Sequence, residues 1–199
     1  MSGQTFDPAS FGADLPSTAE LEAELKRVKG RRRFRRVVLG ILGTLVVIAA
    51  AAVLLATRFF PVLQIYGDSM TPTLNEGDVV VAFDQGELQQ GDVVAFYHNN
   101  KVLVKRVIAQ AGDWVDIKSD GAVYVNEQRL EEPYVDKLAL GSCNIKLPYQ
   151  VPESHVFVMG DHRADSIDSR SATVGCVGED EVMGELVLRV WPLEAFGAL

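Results

Sequence analysis

The stretch Val37–Thr57 reads VVLGILGTLVVIAAAAVLLAT and holds no charged residue over its 21 positions. A helix of that length reaches about 31 Å, which matches a hydrocarbon core of about 30 Å. A cleavable leader is the alternative, but its apolar part is usually ~7–15 residues long and close to the N-terminus. Because this stretch follows 36 residues, we predict a transmembrane helix.

The charges around this stretch predict its orientation. Eight basic residues lie between Lys26 and Arg36, directly before it, and only Arg58 follows closely. Positively charged flanks stay in the cytoplasm. Residues 1–36 are therefore expected on the cytoplasmic side of the cytoplasmic membrane, and residues 58–199 outside it, behind a single span at 37–57. Such a basic cluster also attracts anionic lipid, so the bilayer is an expected partner.

The N-terminal segment has two further parts. Met1–Leu15 is small and polar, with Gly and Pro, and predicts a disordered leader. Ser17 and Glu20 then form the S-x-x-E pattern of a capping box ahead of an apolar face that includes Leu21 and Leu25. A short helix is therefore predicted before the basic cluster.

Composition excludes several classes of function. The whole chain carries a net charge of −8, but residues 58–199 hold 22 acidic and 11 basic residues, a net charge of −11. This part is a poor candidate for binding phosphates, so we expect no nucleic-acid partner. Cys143 and Cys176 are the only cysteines. Neither forms a pattern with zinc-ligand spacing, and no metal is expected.

Residues 58–199 are predicted to form one mostly β, antiparallel domain. Asn99-Asn100 and Asp120-Gly121 suit hairpin turns, because these residue types tolerate positive φ. The stretch Asn126–Glu153 contains three of the chain's eight prolines and is expected to leave the main sheet. The predicted strands are VLQIY from Val62, DVVVAF from Asp78, DVVAFY from Asp92, KVLVKRVIA from Lys101, WVDIK from Trp114, AVYV from Ala122, HVFVMG from His155 and ELVLRVW from Glu185.

A candidate nucleophile, Ser69, follows the first of these strands in the sequence YGDSMTPTL. Gly67 and Pro72 bracket the turn, which would present the hydroxyl beside backbone N–H groups, as acyl transfer requires. A serine in a tight turn is also an ordinary turn residue. By itself this segment does not separate the two interpretations.

A candidate base is Lys105, because none of the three histidines is singled out by its surroundings in the sequence. Strand alternation puts Lys105 on the same face as Leu103 and Val107. If that face is buried, desolvation lowers the lysine pKa, and the neutral amine becomes available as a general base. The alternative is a lysine whose head group reaches water.

The third polar cluster is GDHRADSIDSR, from Gly160 to Arg170, directly after an apolar strand. Its hydroxyls and an Asp–Arg pair could orient the amine of a catalytic lysine. The same composition also fits a solvated loop with surface ion pairs.

Together the clusters resemble type I signal peptidases, the membrane-anchored Ser/Lys endopeptidases that remove signal peptides from exported proteins. The family pattern G-x-S-M-x-P-T-L matches Gly67–Leu74, and its G-D-[IV]-V matches Gly91–Val94. The K-R-V-I box matches Lys105–Ile108, followed by Gly112-Asp113, and the last box matches most of Gly160–Arg170. Glu132-Pro133-Tyr134 is also familiar from these enzymes. The resemblance covers the apolar stretch and the whole β domain, in order.

The resemblance implies a role for each matched residue. Ser69 would be the nucleophile and Lys105 the general base, acting through an acyl-enzyme without a cofactor. Ser166 would hydrogen-bond the lysine amine, and the supporting residues would be Asp161, Asp168 and Arg170. Some relatives have a serine two positions before the nucleophile as an oxyanion donor, but here that position is Gly67. The last box also departs from the pattern at His162, Ala164 and Asp165.

The resemblance also implies the substrates. They would be signal peptides of membrane-tethered pre-proteins, cut after small residues in an A-x-A-like site, by an enzyme that works as a monomer. Apolar pockets would accept the small residues. The lining expected from proximity in the sequence is Ile65, Tyr66, Met70, Leu74, Leu103 and Val104.

Cys143 and Cys176 lie outside the cytosol in this arrangement and could pair, closing a loop of about 34 residues and adding roughly 3 to 4 kcal/mol of stability. Free thiols are the alternative. Two other functions also stay open. One is a Ser/Lys self-cleaving regulator, although the helix-turn-helix pattern of such regulators does not precede the β domain here. The other is a membrane-anchored module that binds a partner without catalysis.

Overall fold

The computed structural model describes residues 18–83 and 86–199. Two compact units divide between Leu54 and Leu55, the second running from Leu55 to Leu199. Ser17 and the predicted disordered leader Met1–Leu15 lie outside the described residues.

One helix, α1 (Thr18–Phe59), covers the region for which a short helix and a separate membrane helix were predicted. It contains no proline, and its arginines and lysines are good helix formers, so nothing in the basic cluster ends it. Within it, Leu25–Leu55 is long and apolar enough to cross a membrane, and the side chains of its most apolar window are not buried.

The rest of the described chain is mostly β. Between β10 and β11, and again between β11 and β12, a single 3₁₀ turn intervenes, at Glu179–Glu181 and Leu193–Ala195. The strands are β1 (Val62–Gln64), β2 (Val79–Phe83), β3 (Val93–His98), β4 (Lys101–Ala109), β5 (Trp114–Ile117), β6 (Val123–Val125), β7 (Gln128–Arg129), β8 (Tyr149–Gln150), β9 (His155–Met159), β10 (Val177–Gly178), β11 (Val182–Trp191) and β12 (Gly197–Ala198).

These strands form two antiparallel sheets. The larger has the order β1-β2-β11-β3-β4-β9-β10, with β12 on β11, and the smaller has the order β7-β6-β5-β8. The mostly β, antiparallel fold class is thus confirmed, and each of the eight predicted strands overlaps an observed one. Strands β7, β8, β10 and β12 have two residues each, too few for an alternating pattern to be visible.

The turns follow the predicted chemistry. Asn99 and Asn100 both have positive φ, 47° and 61°, in the hairpin between β3 and β4. Gly121 has φ +88°, and its N–H donates to the Lys118 carbonyl between β5 and β6. The irregular stretch Asn126–Glu153 contributes β7 and β8 to the smaller sheet, so it leaves the main sheet as expected.

Two hydrophobic clusters position the site. One joins the smaller sheet to β4 and β9 through Val115, Ile108 and Phe157. The other packs Met70 and Leu74 against β2 and β11. This second cluster anchors the turn that carries Ser69 to the larger sheet.

Candidate active site

Ser69 lies in a turn whose ends are fixed by burial. The Thr71 N–H donates to the Asp68 carbonyl at 3.0 Å, and the Leu74 N–H donates to the Met70 carbonyl at 2.9 Å. Gly67 enters the turn with φ +80°, a conformation that other residues rarely adopt. Since Met70 and Leu74 are buried, the hydroxyl of Ser69 is held at the protein surface by a rigid support.

Lys105 meets Ser69 from the middle of β4. Its side chain is buried, with a residue exposure of 4%. The Nζ atom donates to Ser69 Oγ at 2.7 Å and to the Val104 carbonyl at 2.9 Å. Two segments that lie 36 residues apart in sequence thus bring a hydroxyl and an amine into direct contact.

Burial changes the acidity of this amine. Desolvation is the largest cause, and it lowers the pKa of Lys105 from 10.5 to about 8. The negative charges of Asp168 and Asp161 oppose the shift, while the positive charge of Arg170 adds to it. A substantial fraction of this lysine is therefore neutral at mildly alkaline pH.

The segment Gly160–Arg170 forms a buried support rather than a solvated loop. Arg170 donates from Nε and Nη2 to the two carboxylate oxygens of Asp168, each at 2.8 Å. Asp168 also accepts the Gly160 N–H at 2.9 Å, and Arg170 Nη1 donates to the carbonyls of Leu140 and Arg163. These bonds fix the segment in place beside Lys105.

Ser166 departs from the expected arrangement. Its hydroxyl is buried and has no hydrogen-bond partner among the described residues, so the expected bond to the Lys105 amine is not formed. The hydroxyl packs instead against the Cα of Gly160, where an added Cβ would collide with it. The same Cβ would come within 2.5 Å of the Ser69 carbonyl oxygen. Gly160 therefore lies against the turn of Ser69, with no room for a side chain.

Asp161 binds Arg106, the neighbour of Lys105 on β4. Arg106 donates to it from Nε at 2.9 Å and from Nη2 at 2.7 Å, and both side chains are buried. The Thr73 hydroxyl donates to the same carboxylate. The bonds around this pair join the three segments of the site. Thr73 follows the Ser69 turn, Arg106 lies on β4, and Asp161 belongs to the segment Gly160–Arg170.

Sequence reasoning missed most of these partners. Arg163 is buried and binds both carboxylate oxygens of Glu132. Arg106 also lies over the ring of Tyr134, 3.9 Å from its centroid. The partners are 31 and 28 positions apart in the sequence, so no local spacing indicates them. The only signal was the presence of Glu132 and Tyr134 in a segment shared with the resembled family.

A cleft of about 590 Å³ opens beside the pair of Ser69 and Lys105. Five of the six expected lining residues contribute to it, namely Ile65, Tyr66, Met70, Leu103 and Val104. Leu74 does not, since it is fully buried in the core beneath the turn. The lining also includes Val62, Leu63, Gln64, Lys101 and Val102. A larger cavity of about 840 Å³ lies on the smaller sheet and touches neither Ser69 nor Lys105.

Both flanks of the cleft are strand edges. Strand β1 pairs only with β2 among the described strands. On β4, residues 101–105 pair with β3, whereas β9 pairs only with the later residues Arg106–Ala109. The cleft thus exposes two backbone edges that can accept a further strand.

The three residues of Gly160–Arg170 that differ from the family pattern, His162, Ala164 and Asp165, lie at the surface. His162 is partly exposed, with Nε2 at 3.3 Å from Asp165 and Nδ1 at 3.8 Å from Asp68. Its backbone N–H donates to the Ser69 carbonyl at 3.1 Å. The side chain at position 162 is therefore not needed for the contact with the Ser69 turn.

Cys143 and Cys176 are both free, so the disulfide considered from the sequence is not formed. Cys176 packs against the cluster that joins the two sheets and contacts the Tyr149 hydroxyl. Burial raises its pKa to about 11. Cys176 is thus a partly buried free thiol that packs against the core.

Most of this chain is similar in sequence to proteins of one known family. Residues 38–191 match the family model described as signal peptidase, peptidase S26. Signal peptidase IB of Staphylococcus aureus (strain COL) is 38% identical over 152 residues, 66% of this chain and 78% of that protein. Signal peptidase I of Bacillus amyloliquefaciens is 33% identical over 156 residues, 71% of this chain and 80% of that protein.

A crystal structure of a signal peptidase I from Enterococcus faecalis V583 is 29% identical and covers 50% of this chain and 97% of its own, with a TM-score of 0.42. The resemblance inferred from the motifs is confirmed by the family model, which spans both the apolar stretch and the β domain. The chain therefore belongs to the signal peptidase family of serine endopeptidases, peptidase S26.

Proposed function

We propose that this chain removes signal peptides from exported pre-proteins with Ser69 as nucleophile and Lys105 as general base. The observation that carries the proposal is the 2.7 Å contact between Ser69 Oγ and Lys105 Nζ. That distance lies within the range required for direct proton transfer. The lowered pKa of Lys105, about 8, supports the same role.

The reaction follows from this contact. The neutral Lys105 amine accepts the Ser69 hydroxyl proton while Oγ forms a bond to the scissile carbonyl carbon. The resulting ammonium then gives its proton to the leaving amine as the C–N bond breaks, which leaves an ester on Ser69. Lys105, neutral again, accepts a proton from water during hydrolysis of the ester, and that proton returns to Ser69 Oγ.

The site offers few hydrogen-bond donors that could stabilise the oxyanion. The Ser69 backbone N–H is the proposed donor. Gly67 has no hydroxyl to supply a second donor, unlike the serine found at that position in some relatives. We therefore assign catalysis to Ser69 and Lys105, with Asp161, Asp168 and Arg170 holding the segments that carry them.

The shape of the cleft supports a peptide substrate. Its two free strand edges suit an extended chain, which would be held by backbone hydrogen bonds. Apolar side chains such as Ile65, Met70 and Leu103 line it near Ser69. We propose that these side chains form the shallow pockets for the small residues at the first and third positions before the cut, as in an A-x-A site.

The apolar helix supports a membrane location. We propose that α1 anchors the chain in the cytoplasmic membrane, with the basic residues of 26–36 inside and the catalytic domain, residues 58–199, outside. A tethered monomer would then meet membrane-bound precursors at a raised effective concentration.

The test is cleavage of a precursor with an A-x-A site by the full-length protein in detergent, with the cut position read by mass spectrometry. Ser69→Ala and Lys105→Met are each expected to lower kcat by about 10⁴-fold or more. Lys137→Met, an exposed lysine outside the cleft, is the matched control and is expected to keep full activity. Substantial turnover in either active-site variant would contradict the proposal, and binding without turnover by the wild type would favour the non-catalytic module.

A further inference from the structure

Lys101 is a charged residue in an otherwise mostly apolar cleft. It lines the cleft together with Gln64 and Val62, and it lies four residues before Lys105 on β4. Among the described residues it makes no ion pair, unlike Lys118 of the same domain, which binds Asp116. Its ammonium is thus available to a bound ligand.

The charge of Lys101 is uncommon for its surroundings. Residues 58–199 carry twice as many acidic as basic residues, and most of the basic residues near the site are engaged. Arg106, Arg163 and Arg170 are each paired with a carboxylate. Because Lys101 lines the cleft and those three arginines are buried, a peptide in the cleft would contact Lys101 rather than the arginines.

The position of Lys101 corresponds to a definite part of the substrate. Lys101 and Lys105 belong to one uninterrupted strand, β4, four residues apart. An extended peptide lying along that edge advances about 3.3 Å per residue, as β4 does, so the two strands stay in step. Lys105 is next to the residue at the cut. A peptide that runs in the direction of β4, with the residue before the cut beside Lys105, therefore places its fifth residue before the cut beside Lys101. The long Lys101 side chain can also reach the sixth.

We propose that Lys101 is a specificity-determining residue that favours precursors with an acidic residue, and disfavours those with a basic residue, at the fifth or sixth position before the cut. This inference rests on the proposed function, with the part of the substrate before the cut lying in the cleft. Lys101 selects by charge, whereas the pockets next to Ser69 select by size.

The effect is modest, because the Lys101 side chain is exposed. Exposed charge pairs change an equilibrium by about two- to fivefold. We expect kcat/KM to be about two- to fivefold higher for an acidic than for a neutral residue at these positions, and lower by a similar factor for a basic residue. Added salt screens the charges, so the preference is expected to shrink at 0.5 M NaCl.

The experiment uses three precursor peptides that differ only in carrying Asp, Ser or Lys at both the fifth and sixth positions. The full chain is assayed in zwitterionic detergent, where no anionic lipid is present, and kcat/KM is expressed relative to the Ser peptide. The wild type is expected to rank Asp above Ser above Lys. Lys101→Gln should bring the three values together, and Lys101→Glu should reverse their order.

Lys146→Glu is the matched control, because it makes the same charge change at an exposed lysine that does not line the cleft. It is expected to keep the wild-type order and rate. An order unchanged in Lys101→Glu, or reversed equally in Lys146→Glu, would overturn the inference. Absence of cleavage of the Ser peptide by the wild type would instead reject the proposed function.

Discussion

Arg106 and Asp161 form a bidentate ion pair next to Lys105, with Nε–O and Nη2–O distances of 2.9 and 2.7 Å. Arg106 is the residue after Lys105 on β4, and Asp161 is the residue after Gly160. Alternate residues of a strand point to opposite faces. The same strand can therefore present Lys105 to Ser69 on one face and fasten itself to the support on the other.

Breaking this pair is expected to be costly. Asp161→Asn leaves the buried Arg106 guanidinium without its counter-charge, and such losses reduce the free energy of unfolding by about 3–5 kcal/mol. Asp161→Asn/Arg106→Met removes the unpaired charge and should recover part of the loss in urea unfolding. Lys118→Met, which breaks the exposed pair with Asp116, is the control and should change stability by less than about 1 kcal/mol. If Asp161→Asn and Lys118→Met lowered the free energy of unfolding equally, burial of the Arg106–Asp161 pair would not explain the loss.

The pKa of Lys105 predicts the pH dependence of cleavage. Only the neutral amine can accept the Ser69 proton, and its pKa is about 8. We expect kcat/KM to rise about tenfold per pH unit below this value and to level off above it. The substrate should be a peptide without titratable groups, so that the pH dependence of kcat/KM comes from the enzyme alone. A rate that is independent of pH between 6 and 8 would argue against Lys105 as the base.

The same pKa predicts an effect on stability. The folded state lowers the lysine pKa from 10.5 to about 8, so below pH 8 protonated Lys105 destabilises the fold by roughly 3 kcal/mol. This cost falls as the pH rises from 8 to 10.5, because the unfolded state then binds more protons than the folded state. Lys105→Met should therefore raise Tm at pH 7, and the gain should shrink by pH 10. Lys137→Met should show neither change.

Gly160 is predicted to be intolerant of any side chain. A Cβ at this position would lie within 2.5 Å of the Ser69 carbonyl oxygen and would also collide with Ser166. Gly160→Ala is expected to destabilise the fold by about 1–3 kcal/mol. Displacement of the Ser69 turn by even 1 Å should lower kcat by about 10²-fold. Gly175→Ala is not a suitable control because of its φ of +68°, so Ala164→Gly at the surface of the same segment serves instead.

The cysteines provide a test of the free thiols. Both Cys143 and Cys176 should react with a maleimide without prior reduction, and Tm should be the same with and without a reducing agent. Cys176 should react more slowly at pH 8 than at pH 10, since a pKa of about 11 leaves only about 0.1% of it as thiolate at pH 8. Mass analysis of a non-reduced digest that finds the two peptides linked would contradict the structure.

Much of the fold was predictable because its signals are local. β4 was predicted from Lys101 to Ala109, as observed, because its β-branched residues favour a strand and the Asn99-Asn100 turn marks its start. The candidate pair Ser69 and Lys105 was also predicted, from motifs that the family shares. The sequence could not reveal contacts between distant positions, such as Arg163 with Glu132, because nothing in the residues around either one indicates its partner.

Two expectations failed for reasons of packing. Leu74 was expected to line the cleft because it is close to Ser69 in sequence, but the turn directs it into the core. Ser166 was expected to reach the Lys105 amine, but its hydroxyl is packed against Gly160. In both cases the direction of a side chain, which depends on tertiary contacts, decided the outcome.

Under the proposed function, the free edges of β1 and β4 have a consequence for the range of precursors that this chain can process. Amide groups are identical in every polypeptide, so a site that holds its ligand mainly through them is indifferent to most of the sequence that it grips. Selectivity then depends on the few side chains that face inward, and unrelated secreted proteins can share a single processing enzyme. By the same reasoning, a compound that copies an extended main chain should compete with all of them at once.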